Sequence, residues 1–283
     1  MEENKLMEIQ RELMVCNKPS VYLEKIKNSL KDTPLESLWI LQLIEQNPRY
    51  HPEGNVWNHV MQVIDIAAKI KDFAIDKEAF MLGALLHDLG RFEQIKVFNE
   101  FNDKKIDHAE YGVKTLFDDK MITRFVEDRK YDNVIRKAIY NHNKFKIESN
   151  LSDNELLHCK IIRDADKLDN FRVKQKDKLE DMFPKIYNSK TINYETITDK
   201  VYEDFMKNKC IKLEDRKTII DYWVCVIAFV FDLNFNISLQ YVKEKNYIDI
   251  LIDRIEYKNY DTKQKMENIR ISAKKYIENN LGE

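Results

Sequence analysis

A histidine and an aspartate stand side by side at the end of an apolar segment, where they could do chemistry. In residues 79–91 (AFMLGALLHDLGR), His87 and Asp88 follow eight residues that are apolar or glycine. The pattern predicts a helix, with Gly90 as a left-handed cap at its end. Burying an imidazole and a carboxylate is costly unless both are satisfied. Two interpretations are open: a core histidine held by its neighbour, or two ligands that grip one metal ion.

Two further histidines fall on the apolar faces of predicted helices. His59 shares a stripe with Val56, where a helical period begins. His142 shares a face with Ile139 in a helix predicted over residues 132–143. Taken alone, either histidine is more often a satisfied core residue than a ligand.

A fourth histidine, His108, lies in the first turn of another predicted helix. Asp107 precedes it as a candidate cap, and Glu110 follows three residues after Asp107, as in a capping box. Gly112 indicates that this helix packs closely against a neighbouring backbone. His108 would then lie at the mouth of the helix, with an ordinary first-turn histidine as the alternative.

Two carboxylates interrupt the apolar stripe of the helix predicted around IIRDADKLDNFRV. Asp166 and Asp169 align with Ile162 on that stripe, which is an unusual place for charged side chains. Asp164 lies off the stripe, so we expect it to be a solvated charge or a partner of Arg163. Of these carboxylates, Asp166 joins the histidines as a candidate site residue.

Together these residues form one candidate site. The chain has only six histidines, and four of them fall on apolar faces or at a helix mouth, each on a different helix. The candidates, which we call the His/Asp set, are His59, His87, Asp88, His108, His142 and Asp166. Chance core histidines explain this set poorly, because buried ionisable clusters are usually metal sites or catalytic networks.

The order of these residues resembles the HD superfamily of metal-dependent phosphohydrolases. The resemblance covers residues 50–173 and is carried by His59, the pair His87-Asp88, and Asp166 within ADKLDN. The segment HPEGNVWNHV is also similar to the HD domain of bacterial tRNA nucleotidyltransferases. The superfamily is thereby indicated, but a substrate is not.

Two further features resemble the dinuclear HD phosphodiesterases: the DHAEYG segment around His108, and the later His142. Asn141 and Asn143 flank His142 where many of those enzymes have adjacent histidines. The chain lacks the GYP signature of cyclic-di-GMP hydrolases, and the glutamate-aspartate pair of guanosine-tetraphosphate hydrolases does not follow His87-Asp88. One bound ion and two bound ions are therefore both open.

The resemblance implies that the His/Asp set holds metal. With two ions, Asp88 would bridge them. The other ligands would be His59, His87 and Asp166 for one ion, and His108 and His142 for the second. Asp88 and Arg91 are the expected catalytic residues, since Arg91 follows the predicted helix end and could bind a phosphate oxygen. A surface arginine is an equal alternative for Arg91, and Lys144 is a weaker phosphate-binding candidate.

The ligand types favour a transition metal. Mixed imidazole and carboxylate ligands suit Mn, Fe, Co, Ni or Zn better than Ca or Mg. A bound divalent metal lowers the pKa of a coordinated water from ~15.7 toward ~7, which yields a hydroxide nucleophile. The expected cofactor is therefore a divalent metal, as one or two ions.

Composition favours an all-helical protein in a reducing compartment. Gly and Pro number five each among 283 residues, so few positions break a helix. The four cysteines show no paired spacing, and the N-terminal segment is acidic and polar. The longest apolar run, residues 222–231, is too short to span a bilayer. The unpaired cysteines lead us to expect a cytoplasmic protein. A net charge of −2 favours neither nucleic acid nor a membrane as partner, and the resemblance implies a small-molecule phosphate ester or nucleotide.

The predicted fold is all-α, an HD-domain helical bundle with additional C-terminal helices. Residues 1–49 are expected to form N-terminal helices that pack on the core, and residues 50–173 the HD phosphohydrolase core. Residues 174–283 are expected to form a helical extension. Whether this extension belongs to the same domain as residues 50–173 is open. Residues 92–106 are expected to form a polar, mobile rim that contributes to specificity.

The sequence thus leads to one main hypothesis and two alternatives. The main hypothesis is an enzyme that hydrolyses a phosphomonoester or phosphodiester, expected to be a nucleotide, through a metal-activated hydroxide. The first alternative is a regulatory HD module that binds nucleotide or metal without turnover. The second is a helical scaffold with structural histidines. The intact His/Asp set argues against a degenerate site, because a retired site would tolerate losses.

Overall fold

The described part of the chain consists of helices and the turns between them. The computed structural model describes residues 2–45, 54–98, 106–126, 128–176, 178–182 and 191–282. Within these ranges there is no β-strand, and one isolated antiparallel bridge joins Glu45 to Asn55. The all-α class predicted from the scarcity of glycine and proline is confirmed.

The chain divides into two compact units. The first contains the described residues up to Asp169, and the second contains those from Asn170 onward. The α-helices that begin in the first unit are α1 (Glu2–Val15), α2 (Ser20–Ile26), α3 (Glu36–Ile40), α4 (Val56–Ile70), α5 (Lys77–Leu86), α6 (Leu89–Phe98), α7 (His108–Val113), α8 (Asp132–Asn141) and α9 (Asp153–Lys174). The division predicted at residues 49 and 173 stays a prediction.

The second unit is also helical. Its α-helices are α10 (Leu179–Met182), α11 (Asp199–Met206), α12 (Ile219–Ile227), α13 (Asn236–Glu244), α14 (Tyr247–Asp253) and α15 (Tyr260–Leu281). Short 3-10 turns extend or join the helices of the two units at Lys27–Leu30, Leu41–Leu43, Lys71–Phe73, Met121–Arg124, Arg129–Tyr131, Ile192–Tyr194, Leu213–Asp215 and Ala228–Asp232, and a π-helical turn follows α7 at Lys114–Asp118.

The core of the first unit is built around α4 and α5. Helix α4 begins at a cap in which the side chain of Asn55 accepts a hydrogen bond from the amide of Asn58, 2.9 Å away. Helix α5 is buried from Ala79 to Leu86, which explains why its sequence is apolar on all sides. The two helices therefore form a rigid base for the residues that follow them.

The predicted single helix over residues 79–91 is wrong in its extent. Helix α5 ends at Leu86 and α6 begins at Leu89, so His87 and Asp88 occupy the turn between two helices. Gly90 lies within α6 and is not a left-handed cap, since the described glycines with positive φ are Gly54 and Gly282. The pair of polar residues is thus presented by a break rather than by a helix end.

Gly90 is required for close packing instead. A Cβ atom there would collide with the carbonyl oxygen of His108 and would lie 2.5 Å from the amide nitrogen of Gly112. Helices α6 and α7 therefore pack backbone to backbone, and the close packing predicted from Gly112 is confirmed. This contact brings the start of α7 next to the break that carries His87 and Asp88.

The expected mobile rim at residues 92–106 is partly wrong. Helix α6 continues to Phe98, because no glycine or proline follows Gly90 in that stretch. The buried amide of Gln94 donates a hydrogen bond to the carbonyl oxygen of Ile106. Residues 99–105 lie outside the described residues.

The second unit has a core of its own. Helix α12 starts with a capping box between Thr218 and Asp221, and its Trp223 is wholly buried. The indole nitrogen of Trp223 donates to the carbonyl oxygen of Leu251, 2.8 Å away. The apolar run 222–231 is thus core sequence. Among the helices of the described residues, none has both the length and the apolar character needed to cross a membrane.

Candidate metal centre

Five elements of the first unit bring the His/Asp set together. The members lie on α4 (His59), in the turn between α5 and α6 (His87 and Asp88), at the first residue of α7 (His108), just after α8 (His142) and on α9 (Asp166). Five of the six side chains are at most 3% exposed, and that of Asp166 is 19% exposed. Residues far apart in sequence therefore form one buried polar cluster with an opening at Asp166.

The four imidazoles form two pairs. Atom Nε2 of His59 lies 3.4 Å from Nε2 of His87, and Nε2 of His108 lies 3.0 Å from Nε2 of His142. Oδ1 of Asp166 lies 3.5 Å from Nε2 of His59 and so joins the first pair. The same nitrogen of every ring points into the cluster.

Asp88 lies between the two pairs, and each of its oxygens faces one pair. Oδ1 lies 3.2 Å from Nε2 of His108 and 3.7 Å from Nε2 of His142. Oδ2 lies 3.7 Å from Nε2 of His59 and 4.0 Å from Nε2 of His87. Within the described residues, Oδ2 is a buried oxygen that accepts no hydrogen bond. An acceptor left in this state is costly unless a cation completes it.

Local hydrogen bonds set the ring orientations. Nδ1 of His87 donates to the carbonyl oxygen of Ala84 at 2.8 Å, and Nδ1 of His142 donates to that of Ile139 at 2.6 Å. A ring that carries its proton on Nδ1 keeps the lone pair of Nε2 for a metal. The helices that precede these two histidines therefore hold both rings with Nε2 towards the cluster.

Asp169 contacts a third ring. Its carboxylate is wholly buried, and Oδ2 lies 3.3 Å from Nδ1 of His59, on the side of the ring opposite the cluster. Sequence reasoning placed Asp169 on the stripe with Asp166 but gave it no role. The spacing of three residues was the available signal, because it puts both carboxylates on one face of α9.

The electrostatics of the set match the needs of a cation. Burial lowers the pKa of His87 to about 4, so its imidazole is neutral at pH 7. Burial opposes the ionisation of Asp88, but His87, Arg91, His108 and His142 outweigh it and hold the pKa of this carboxyl well below its usual range. Burial alone would raise the pKa of Asp166, but the neighbouring His59 lowers it by more than burial raises it. The pKa of Asp166 therefore lies below its ordinary value. Neutral imidazoles and ionised carboxylates are the forms that bind metals.

Arg163 holds the turn that carries His142. This arginine of α9 is 2% exposed, and its Nη1 donates to the carbonyl oxygens of Asn141 at 2.8 Å, His142 at 3.4 Å and Lys144 at 2.6 Å. It thereby satisfies carbonyls at the end of α8 that have no partner within the helix. Sequence reasoning missed this role.

The expectation that Asp164 is a solvated charge is wrong. Asp164 is wholly buried, as are Ile161 and Ala165 beside it. Helix α9 is covered on more faces than the apolar stripe of its sequence suggested. The charged side chains of Arg163, Asp164 and Asp169 on α9 are therefore all buried.

The two phosphate-binding candidates differ in their surroundings. The side chain of Arg91 is 12% exposed, with Nε 3.7 Å from Oδ1 of Asp88, so it belongs to the site and is not a surface arginine. Nζ of Lys144 lies 2.7 Å from Oδ2 of Asp107 and 2.6 Å from Oε1 of Glu110. The charge of Lys144 is thus engaged by two carboxylates, which weakens its case further.

The remaining histidine of the described residues, His158, lies elsewhere. Nδ1 of His158 lies 2.8 Å from the carbonyl oxygen of Asn154, and Nε2 lies 3.1 Å from that of Asp76. These contacts explain His158 as a structural residue that ties α9 to the start of α5. His51 lies outside the described residues.

The geometry fits a divalent metal. Two overlapping groups have ligand atoms that all lie within 4.8 Å of one another: one is His59, His87 and Asp166, and the other is His87, Asp88 and His142. The orphaned Oδ2 of Asp88 and the converging Nε2 atoms are what a cation of this kind would complete. The molecule is therefore an all-helical protein with a buried imidazole-carboxylate site that could hold metal.

The comparison with known families agrees with this class. Residues 56–170, from the start of α4 to α9, match the family model of the HD domain. The match over this segment is consistent with the HD superfamily of metal-dependent phosphohydrolases, a family whose members are generally hydrolases. No curated protein and no solved structure matches the chain significantly.

Proposed function

We propose that this protein is a metal-dependent phosphohydrolase that cleaves a phosphomonoester or phosphodiester, with a nucleotide as its substrate. The observation that carries the proposal is the position of Asp88, whose two oxygens face two different histidine pairs within one cluster. A carboxylate placed in this way is suited to bridge two cations. Carboxylate-bridged metal pairs are a common device for hydrolysing phosphate esters.

The residues of the chain would hold and orient the reacting groups. A divalent metal, when bound, would acidify a coordinated water and supply the nucleophile. His59, His87 and Asp166 would ligate on one side of Asp88, and His108 and His142 on the other. Arg91 would bind a phosphate oxygen, because its guanidinium borders the set and retains some solvent exposure. The ligand types favour Mn, Fe, Co, Ni or Zn.

The central test removes Asp88. Purified wild-type protein and Asp88→Ala are supplied with Mn²⁺ and assayed on nucleoside mono-, di- and triphosphates, cyclic nucleotides and short oligonucleotides. The wild type should turn over at least one ester. Asp88→Ala should lose about 100-fold or more of the rate, since even an outer partner of a ligand is worth 10–100-fold. Asp119→Ala, an exposed carboxylate change, should leave the rate unchanged.

Three outcomes separate the hypotheses. Equal turnover by wild type and Asp88→Ala on every ester would contradict the enzyme. Metal binding without turnover would favour the regulatory module, and absence of metal binding would favour the scaffold.

Metal titration of the apoprotein addresses the number of ions: two equivalents are expected for wild type and about one for the His108→Ala, His142→Ala double variant. If wild type and the double variant each bind one equivalent of metal and the double variant reacts more slowly, these histidines would instead bind phosphate or transfer a proton.

A further inference from the structure

Asp107 makes more contacts than a helix cap needs. Its Oδ1 accepts hydrogen bonds from the amides of Ala109 at 2.8 Å and Glu110 at 3.3 Å, which caps α7 as the sequence predicted. The same oxygen accepts from Nδ2 of Asn143 at 2.8 Å, and Oδ2 accepts from Nζ of Lys144 at 2.7 Å. One carboxylate thus joins the start of α7 to the turn after α8.

The two segments joined in this way each carry a member of the His/Asp set. Asp107 directly precedes His108, and Asn143 and Lys144 directly follow His142. Lys144 also contacts the carboxylate of Glu110 at 2.6 Å, which adds a second link across the same gap. The bridge therefore lies immediately beside the imidazole pair whose Nε2 atoms are 3.0 Å apart.

We propose that Asp107 is a positioning residue for the half of the metal site formed by His108 and His142. The proposal rests on the proposed function, in that it assumes an ion at this half. Asp107 fixes the distance between the two segments, so both rings reach one cation without reorganisation. Asp107 bonds to Asn143 and Lys144, which follow His142 in the chain. The other half of the site is formed by His59, His87 and Asp166, which lie on α4, in the α5–α6 turn and on α9, and these bonds do not join those elements.

Substitution of Asp107 by serine separates bridging from capping. A serine hydroxyl can cap α7, because serine is a favoured N-cap residue. It is too short and uncharged to hold Lys144. A complementary double variant, Asn143→Ala with Lys144→Met, removes the donors from the other side and leaves the carboxylate cap of α7 in place.

Asp128 provides a matched control. It caps the short turn Arg129–Tyr131 by accepting from the amide of Lys130 at 3.0 Å, and its Oδ2 also pairs with Nζ of Lys130 at 3.1 Å. Asp128→Ser therefore removes the same kind of cap and lysine pair at a place that joins no ligand segments.

The experiment is a calorimetric titration of metal-free protein with Mn²⁺, combined with thermal unfolding of each variant. Wild type and Asp128→Ser should bind two equivalents with the same pair of dissociation constants. Asp107→Ser and the double variant should keep the dissociation constant of one equivalent and weaken the other about 10–100-fold. The double variant decides the matter if Asp107→Ser does not fold.

The contrary results are distinct. Wild-type dissociation constants for both equivalents in the Asp107→Ser and double variants would overturn the positioning role. So would a parallel weakening of both equivalents together with lower thermal stability, since that reports general structural damage. Uptake of a single equivalent by wild type would remove the second ion from the proposed function, and the positioning role with it, while phosphohydrolase activity could persist.

Discussion

The central residue of the site, Asp88, is an ionised carboxylate in the interior of the protein. Burying such a charge is unfavourable unless neighbouring groups compensate for it. His87, His108, His142 and Arg91 keep its pKa low, yet its Oδ2 accepts no hydrogen bond from the described residues. A cation would supply the missing partner, so this residue is better explained by ligand binding than by folding.

Asp169 lies beside His59 at the edge of the same site, and the effect of its charge can be measured. We expect Asp169→Asn to weaken metal binding about 10–100-fold, because the neutral amide removes the carboxylate charge that lies 3.3 Å from Nδ1 of His59. Isothermal titration with Mn²⁺ gives the affinity. Asp119→Asn, at an exposed position, serves as the control. An unchanged dissociation constant in Asp169→Asn would show that His59 needs no such partner.

At the scale of elements, the site depends on the close crossing of α6 and α7. The α5–α6 break presents His87 and Asp88, and α7 begins with His108. These residues meet because Gly90 and Gly112 let the two backbones approach. A pair of glycines that carries no reactive group thus brings two of the five site elements together.

We expect Gly90→Ala to destabilise the protein by about 1–3 kcal/mol, the usual cost of overpacking. The added Cβ would meet backbone atoms of His108 and Gly112, which can give way only if α7 moves. Urea unfolding at pH 7 measures the change. Gly83→Ala is the control, since its Cβ would meet Cδ1 of Ile162 at 2.7 Å, the movable end of a side chain. Equal stability of the two variants would refute the close crossing.

At the scale of the whole molecule, the HD domain match ends where the second compact unit begins. The match stops at residue 170, and the second unit starts at Asn170 with a core of its own around Trp223. Its last two helices are joined by a charged network: Asp249 on α14 lies 2.7 Å from Arg270 and 2.5 Å from Lys274, both on α15. This network adds a pH-dependent contribution to stability.

Asp249→Asn tests that contribution. Burial raises the pKa of Asp249, but Lys274 and Arg270 outweigh it, so the folded value lies below the ordinary 3.8. A carboxyl whose pKa is lower in the folded state than in the unfolded state stabilises the fold at pH values above its unfolded-state pKa. This stabilisation is lost as the pH falls through the folded-state pKa. The variant should therefore be about 0.5–1 kcal/mol less stable at pH 7. The difference from wild type should shrink below about pH 4.

Urea unfolding of both proteins across this pH range gives the difference. Asp119→Asn, an exposed carboxylate, should show a smaller effect at pH 7. A stability difference for Asp249→Asn that stays constant down to pH 3 would contradict the ion-pair origin.

The sequence by itself determined the fold class and predicted which residues would form the candidate site. Scarcity of glycine and proline left long helical periods, and the helical period put His59, His142 and Asp166 on faces that must turn inward. The resemblance carried by His87-Asp88 and ADKLDN indicated the superfamily, which the HD domain match confirms. These features are local, because each depends on residues within a few turns of one helix.

Only the tertiary structure decided how these residues are arranged. The break at His87-Asp88, the burial of Asp164 and the contact of Asp169 with His59 depend on which helices cover which faces. The sequence predicted that Gly90 would end a helix. In the structure Gly90 has no side chain to keep α6 away from α7, which begins 18 residues later. The period of a single helix gives the direction of a side chain but not its neighbour, and the chemistry of this site is set by neighbours.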